Sequence, residues 1–219
     1  DGGEVECAAF SPDGRLVATG SSALSGNVYL WDAATGAPVR TFEGHHGLVS
    51  GVIFSRDGRR LATSCRDKTV LIFDVATGQV LQRLAGVHSD WLSDLAWGDA
   101  GEQTLFTAGK DGLAVQWDVN SGKALRRIEG HAKWVNALAI SASGRLLATA
   151  SDDMTVRIWN AATGELLLII NTQKEATAVA FSNDEKTLAA GDGTILSLYP
   201  MDFSMLDANP NSELGEAVQ

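Results

Sequence analysis

The chain has 219 residues, 45% of them hydrophobic and 20% charged, a balance that excludes a disordered or heavily solvated polypeptide. Its formal charge is −10, from 27 acidic and 17 basic residues, which argues against a nucleic-acid surface because phosphate binding needs clustered Lys and Arg. The longest purely apolar run, Leu166 to Ile170, is five residues, far below the roughly 20 needed to cross a bilayer. The N-terminus lacks the basic, apolar, small-residue order of a signal peptide, so a soluble cytoplasmic chain without membrane contact is expected. Asp1 in place of Met suggests a piece of a longer or processed chain.

Taken in order, the chain repeats itself. The first unit, roughly residues 1–43, opens on an apolar run at Val5, turns at Gly14, and reaches Trp31-Asp32 before a turn ending in Gly36. The second, roughly 44–86, starts at Gly44-His45, turns at Gly58, and carries Phe73-Asp74 and Gly78. The third, roughly 87–129, has a displaced Gly86-Val87-His88, then Gly101, Trp117-Asp118 and Gly122. In the fourth, roughly 130–171, Gly130-His131 precedes Val135 to Ile140, Leu146 to Ala150, Val156 to Trp159 and, after Thr163-Gly164, Leu166 to Ile170. The fifth, roughly 172–206, has no Gly-His, a turn Asp displaced to Asp192, and Tyr199-Pro200 as its aromatic landmark; its outer strand would come from Met201 to Leu206. The aromatic pairs are 42, 44, 42 and 40 residues apart.

Short apolar or alternating segments bounded by Gly, Asp, Ser and Asn are strands and turns. Each unit is read as a four-stranded antiparallel meander, too small to be stable alone and obliged to stack on its neighbours. Residues 207–219 read as a flexible acidic tail; Asp202, Asp207, Glu213 and Glu216 leave −6 on residues 1–199. Cys7 and Cys65 both sit in strand-like runs, where free Cys acts as a small buried hydrophobe.

With Trp-Asp pairs, Gly-His landmarks and a period near 43, the sequence resembles the WD-repeat β-propeller family over roughly residues 4–203. The resemblance implies an all-β fold of five four-stranded blades. Two architectures are open: a closed five-bladed ring, or an open arc whose missing blades lie in a longer chain, the latter favoured by the unmatched ends. It also implies a structural network, in which the turn Asp accepts from His and the link continues through Ser or Thr to the Trp indole. The residues are His45, Asp67, His88, Asp111, Trp117, His131, Ser151, Asp153 and Trp159.

His131, Ser151 and Asp153 have the residue types of a nucleophilic triad, but the other units vary the set, as at Cys65 and Gly109, whereas an enzyme needs it once. No catalytic centre, metal or cofactor is expected; His46 is the one histidine outside the pattern and is expected exposed on a loop. Trp97 aligns with Phe10, Phe54, Ile140 and Phe181 as core. By resemblance, function falls on the top rim: Leu48, Trp91 and Trp134, with Glu4 and Glu175 at matching places, then Ser50, Ser93 and Asn136, then Arg66, Lys110 and Asp152. Trp91 and Trp134 should lie side by side, with the composition of an interaction hot spot. The expected role is a non-enzymatic scaffold for a protein or peptide partner. The competing one is a regulatory module of a longer chain that carries a separate catalytic or signalling domain.

Overall fold

The computed structural model describes residues 3–98 and 101–201, and every regular element among them is a β-strand. The first sheet comprises β1 (Val5–Phe10), β2 (Leu16–Ser21), β3 (Val28–Asp32) and β4 (Pro38–Phe42); the second β5 (Val49–Phe54), β6 (Arg60–Cys65), β7 (Val70–Asp74) and β8 (Val80–Leu84). The third holds β9 (Leu92–Trp97), β10 (Thr104–Gly109), β11 (Ala114–Asp118) and β12 (Ala124–Ile128); the fourth β13 (Val135–Ile140), β14 (Leu146–Ser151), β15 (Thr155–Asn160) and β16 (Leu166–Asn171). The fifth has β17 (Ala178–Phe181), β18 (Thr187–Gly191) and β19 (Leu196–Pro200). Chain-adjacent strands pair antiparallel within each sheet. The outer strand expected from Met201 to Leu206, Met201 apart, and the tail from 207 lie outside the described residues.

The landmark residues close the turns. Asp32, Asp74, Asp118 and Asn160 each accept the backbone N–H of the residue three positions on, at 2.6–3.0 Å, and the glycine that follows, Gly36, Gly78, Gly122 or Gly164, takes φ of 71 to 78°, a region open to glycine at little cost. At the other hairpin the left-handed residue of the third sheet is Glu102 (φ 50°) rather than the neighbouring Gly101. Its buried carboxylate accepts the Arg56 amide and pairs with Arg60 at 2.9 Å in the preceding sheet. Glu185 holds Ser143 in the same way.

No sheet has a core of its own. Each apolar cluster combines one face of a sheet with the facing side of the next: Leu30 and Phe42 with Leu61 and Phe73, Ile72 and Leu84 with Leu105 and Trp117, Phe106 and Ile128 with Leu147 and Trp159, Val156 and Ile158 with Leu188. The innermost strands β1, β5, β9, β13 and β17 pack in that order. Outer strands add straps: Arg40 donates to the carbonyls of Thr77 and Ala76 at 3.0 and 2.7 Å, Gln82 to Asn120 at 3.1 Å, and Arg126 to Ala162, each in the next sheet's turn.

The stack is an open arc, and its two end faces show it. Val5 is 66% exposed where the matching Val49 and Val135 are at 0%; Leu196 and Leu198 are 69% and 64% exposed where Val70 and Ile72 are at 0%. Phe10, at the position of the buried Phe54, is exposed for the same reason. Trp97 is partly buried against the second and third sheets, its indole donating to the Phe54 carbonyl at 3.0 Å beneath Arg60.

Asp94 on β9 crosses a sheet junction. Its carboxylate accepts the amides of Leu138 in the next sheet (3.0 Å) and of Leu95 (2.8 Å). Burial pushes the carboxyl up to about 6, the two amides opposing. Because the folded state favours the protonated acid, this group's stability contribution is full below about pH 4 and is lost as pH rises through about 6. The difference in thermal midpoint between Asp94→Asn and wild type should therefore shift in favour of the variant across pH 4 to 6. Parallel midpoint curves for the two proteins would contradict this origin.

Candidate functional site

A chain of hydrogen bonds runs through each central blade. In the fourth, the buried Trp159 indole donates to the Thr149 hydroxyl (2.8 Å), that hydroxyl lies 2.7 Å from His131 Nε2, and His131 Nδ1 lies 2.8 Å from Asp153. The third repeats it with Trp117, Thr107, His88 and Asp111 at 2.8, 2.8 and 3.0 Å. The second has Thr63, His45 and Asp67 at 2.8 and 3.1 Å; Phe73 supplies no indole, and the Thr63 hydroxyl lies 3.3 Å from the Leu71 carbonyl. Among the described residues the first keeps only Trp31 on Thr19, at 2.8 Å.

One direction of donation satisfies every atom: indole N–H to Thr oxygen, Thr O–H to His Nε2, His Nδ1–H to carboxylate. Burial holds His131 below the ordinary histidine range, against the pull of Asp153, which suits a neutral ring. Burial alone would raise Asp153, but bonds from Thr155, His131 and the Ala132 amide bring it down to about 2. The turn carboxylates also hold the loop above them: Asp67 accepts the His46 amide, Asp111 the Ser89 amide and Asp153 the Ala132 amide. His46 itself is exposed.

The connecting hydroxyl is therefore Thr149 and not the expected Ser151. Thr149 and Ser151, two apart on β14, lie on one face of the sheet, but Trp159 pairs opposite Leu147, so Thr149 is one step along that face from the indole and Ser151 is two. Ser151 is fully buried and its hydroxyl accepts the Asp153 amide at 3.1 Å. With His131 Nε2 spent on Thr149, His131, Ser151 and Asp153 do not align as nucleophile, base and orienting acid. His45, Cys65 and Asp67 bring ligand atoms within 4.8 Å of one another. These groups are bonded as in the other blades, with Cys65 Sγ accepting the Asp67 amide at 3.3 Å. Burial pushes the thiol up to about 12, and metal binding needs the thiolate. Both cysteines are free.

Above this network lies the rim. The carbonyls of Leu48, Trp91 and Trp134 accept the amides of Arg66, Lys110 and Asp152 at 2.9, 2.8 and 3.0 Å, so the first and third rim positions are tied within each blade. Trp91 and Trp134 are 45% and 49% exposed. Each carries a cation from the preceding blade: Arg66 lies 4.7 Å from the Trp91 ring centre and Lys110 4.4 Å from that of Trp134. Lys110 donates to Asn136 at 2.8 Å, and Asn136 donates to Asp152 and to the Ala176 carbonyl of the fifth blade. Ser93 donates to the Val135 carbonyl, Ser50 meets Ser64 at 3.0 Å, and Leu48 is half-buried. Glu4 and Glu175 are exposed on the terminal blades. Two shallow recesses result, about 220 Å³ around Trp91 and about 330 Å³ around Trp134.

Stacked four-stranded blades bound by Trp–Thr–His–Asp chains define a β-propeller of WD-repeat type. The family model described as WD domain, G-beta repeat matches residues 1–32, 36–74 and 122–160, half of the chain, and the protein belongs to this family. Blade three falls mostly between the matches yet holds the complete bond chain. Among curated relatives, the chain is 34% identical over 141 residues to cell division cycle 20.1, cofactor of APC complex, of Arabidopsis thaliana, covering 63% of this chain and 30% of that one. It is 29% identical over 192 residues to WD repeat-containing protein 55 of Rattus norvegicus (85% and 50%), and 28% identical over 239 residues to Protein HIR1 of Yarrowia lipolytica (90% and 21%). The chain thus spans half or less of each of these relatives.

Thr149→Val should lower stability by about 2–4 kcal/mol, because it strands both the Trp159 N–H and His131 Nε2 in the interior. Ser151→Ala should cost about 1 kcal/mol, since one backbone amide loses its acceptor. Denaturant titration of both variants checks the order; a larger loss for Ser151→Ala would contradict it.

Proposed function

We propose that this protein is a non-enzymatic interaction scaffold, with residues 1–206 as its propeller, and that it binds a protein partner on the top rim formed by blades two to four. WD-repeat chains generally work as protein-interaction scaffolds, and here the polar groups with triad-like chemistry are consumed in the hydrogen-bond chains. The observation that carries the reading is the pair of half-exposed tryptophans, Trp91 and Trp134, whose backbone carbonyls are tied by hydrogen bonds within their blades. Large aromatic anchors with polar groups around them are the side chains that concentrate binding energy at interfaces. The cofactor role in the Arabidopsis relative's name, toward the APC complex, fits a scaffold of this kind.

Affinity capture followed by quantitative mass spectrometry tests the assignment. Partners recovered by wild type should be lost by a Trp91→Ala/Trp134→Ala variant of unchanged circular dichroism, and kept by Leu81→Ala on the outer strand β8. Equal recovery by the folded double variant would remove the rim assignment.

A further inference from the structure

The rim gathers cations in a protein whose formal charge is −10. Arg66 and Lys110 line the same recess, with Leu48 and Trp91 as its apolar wall and Glu6 as its single acid. Burial holds Lys110 below the ordinary lysine range; Asp152 and Asp90 work against that, and Arg66 adds to it. The Arg66 guanidinium rests on the Trp91 ring, and the Lys110 ammonium rests on Trp134 and donates to the Asn136 oxygen. Among the described residues no carboxylate lies within ion-pair distance of either cation. Asp152, the acid that pulls most on Lys110, already accepts from Asn136.

Two cations brought together at a half-enclosed site, neither held in an ion pair, are electrostatically incomplete. A cationic ligand meets each indole face with a cation already stacked on it, whereas an anionic one meets donors. A guanidinium held over an indole still presents N–H groups, and carboxylate is the acceptor that fits its fork. We infer that this recess docks an acidic segment of a protein partner, one Asp or Glu carboxylate sitting between Arg66 and Lys110 with an apolar neighbour against Trp91. The inference rests on the rim reading above and adds to it the chemistry of the bound segment. It assigns Glu6 an opposing role: the one acid in the recess repels the incoming carboxylate.

The test uses the full chain and three sets of fluorescein-labelled twelve-residue peptides with Leu and Phe flanks and with centres of Glu/Asp, Ser/Gln or Lys/Arg, followed by fluorescence anisotropy. The acidic set should bind best and weaken with added salt. For the acidic set, Arg66→Gln/Lys110→Gln should reduce affinity at least about tenfold, as loss of charge partners does, while Glu6→Gln should tighten it. Preference for neutral or basic centres, weaker acidic binding in Glu6→Gln, or undiminished binding in the double Gln variant would each overturn the inference. A phosphoserine-centred peptide that binds where Glu/Asp centres do not would also overturn it. Loss of peptide binding in Trp91→Ala/Trp134→Ala alongside intact binding in the double Gln variant would leave the rim reading standing and refute only the acidic chemistry. Binding by none of the sets refutes the acidic segment, and the capture experiment then judges the rim separately.

Discussion

A small antiparallel sheet with apolar residues on both faces cannot bury either face by itself, and the rest of this molecule depends on that constraint. Each apolar cluster is shared between two sheets, so no blade is stable without a neighbour. The chain meets the requirement by repeating one unit and stacking it. Where the stack stops, side chains that are buried elsewhere face outward: Val5 and Phe10 at one end, Leu196 and Leu198 at the other. The buried indole follows from the same constraint. A Trp fills the space between sheets well, but its N–H then needs an acceptor. Thr107 and Thr149 supply it, and each passes the polarity through His to an Asp that water reaches only partly.

The polar chain also connects core to surface. Asp67, Asp111 and Asp153 each accept the amide of the residue after His in the loop that leads to the rim. The rim residues then exchange backbone bonds with the residue before that Asp. Trp91 and Trp134 are thus held by a path running from the sheet interior, and exposed aromatic area that is already ordered loses less entropy on binding. Cation stacking from the preceding blade adds to this order, and it makes the rim a property of neighbouring pairs of blades rather than of single ones.

Much of the fold was legible in the sequence because its landmarks are local. Trp or Phe followed by Asp or Asn, and the glycines closing the turns, recur at one period and mark the sheets without any knowledge of contacts. The His–Asp pairs were legible for the same reason. Thr63, Thr107 and Thr149 were missed as network members, since a Thr in a strand reads as ordinary β preference; their constant spacing of 18 or 19 residues from His is the signal that could have found them. Gly101 drew attention away from Glu102, whose left-handed backbone and hook onto Arg60 need a partner in another sheet to be seen. Arg66 over Trp91 and Lys110 over Trp134 were hidden likewise, because each joins residues about 25 apart across a blade boundary.

The central claim is that stability resides in the contacts between blades and therefore falls from the middle of the arc to its ends. Native-state hydrogen exchange read by peptide mass spectrometry measures that gradient directly. The account predicts the slowest exchange in β6, β10 and β14, whose sheets are covered on both faces, and faster exchange in β2 and β18, which occupy the same place in the end sheets. Equal protection of all five central strands would contradict it.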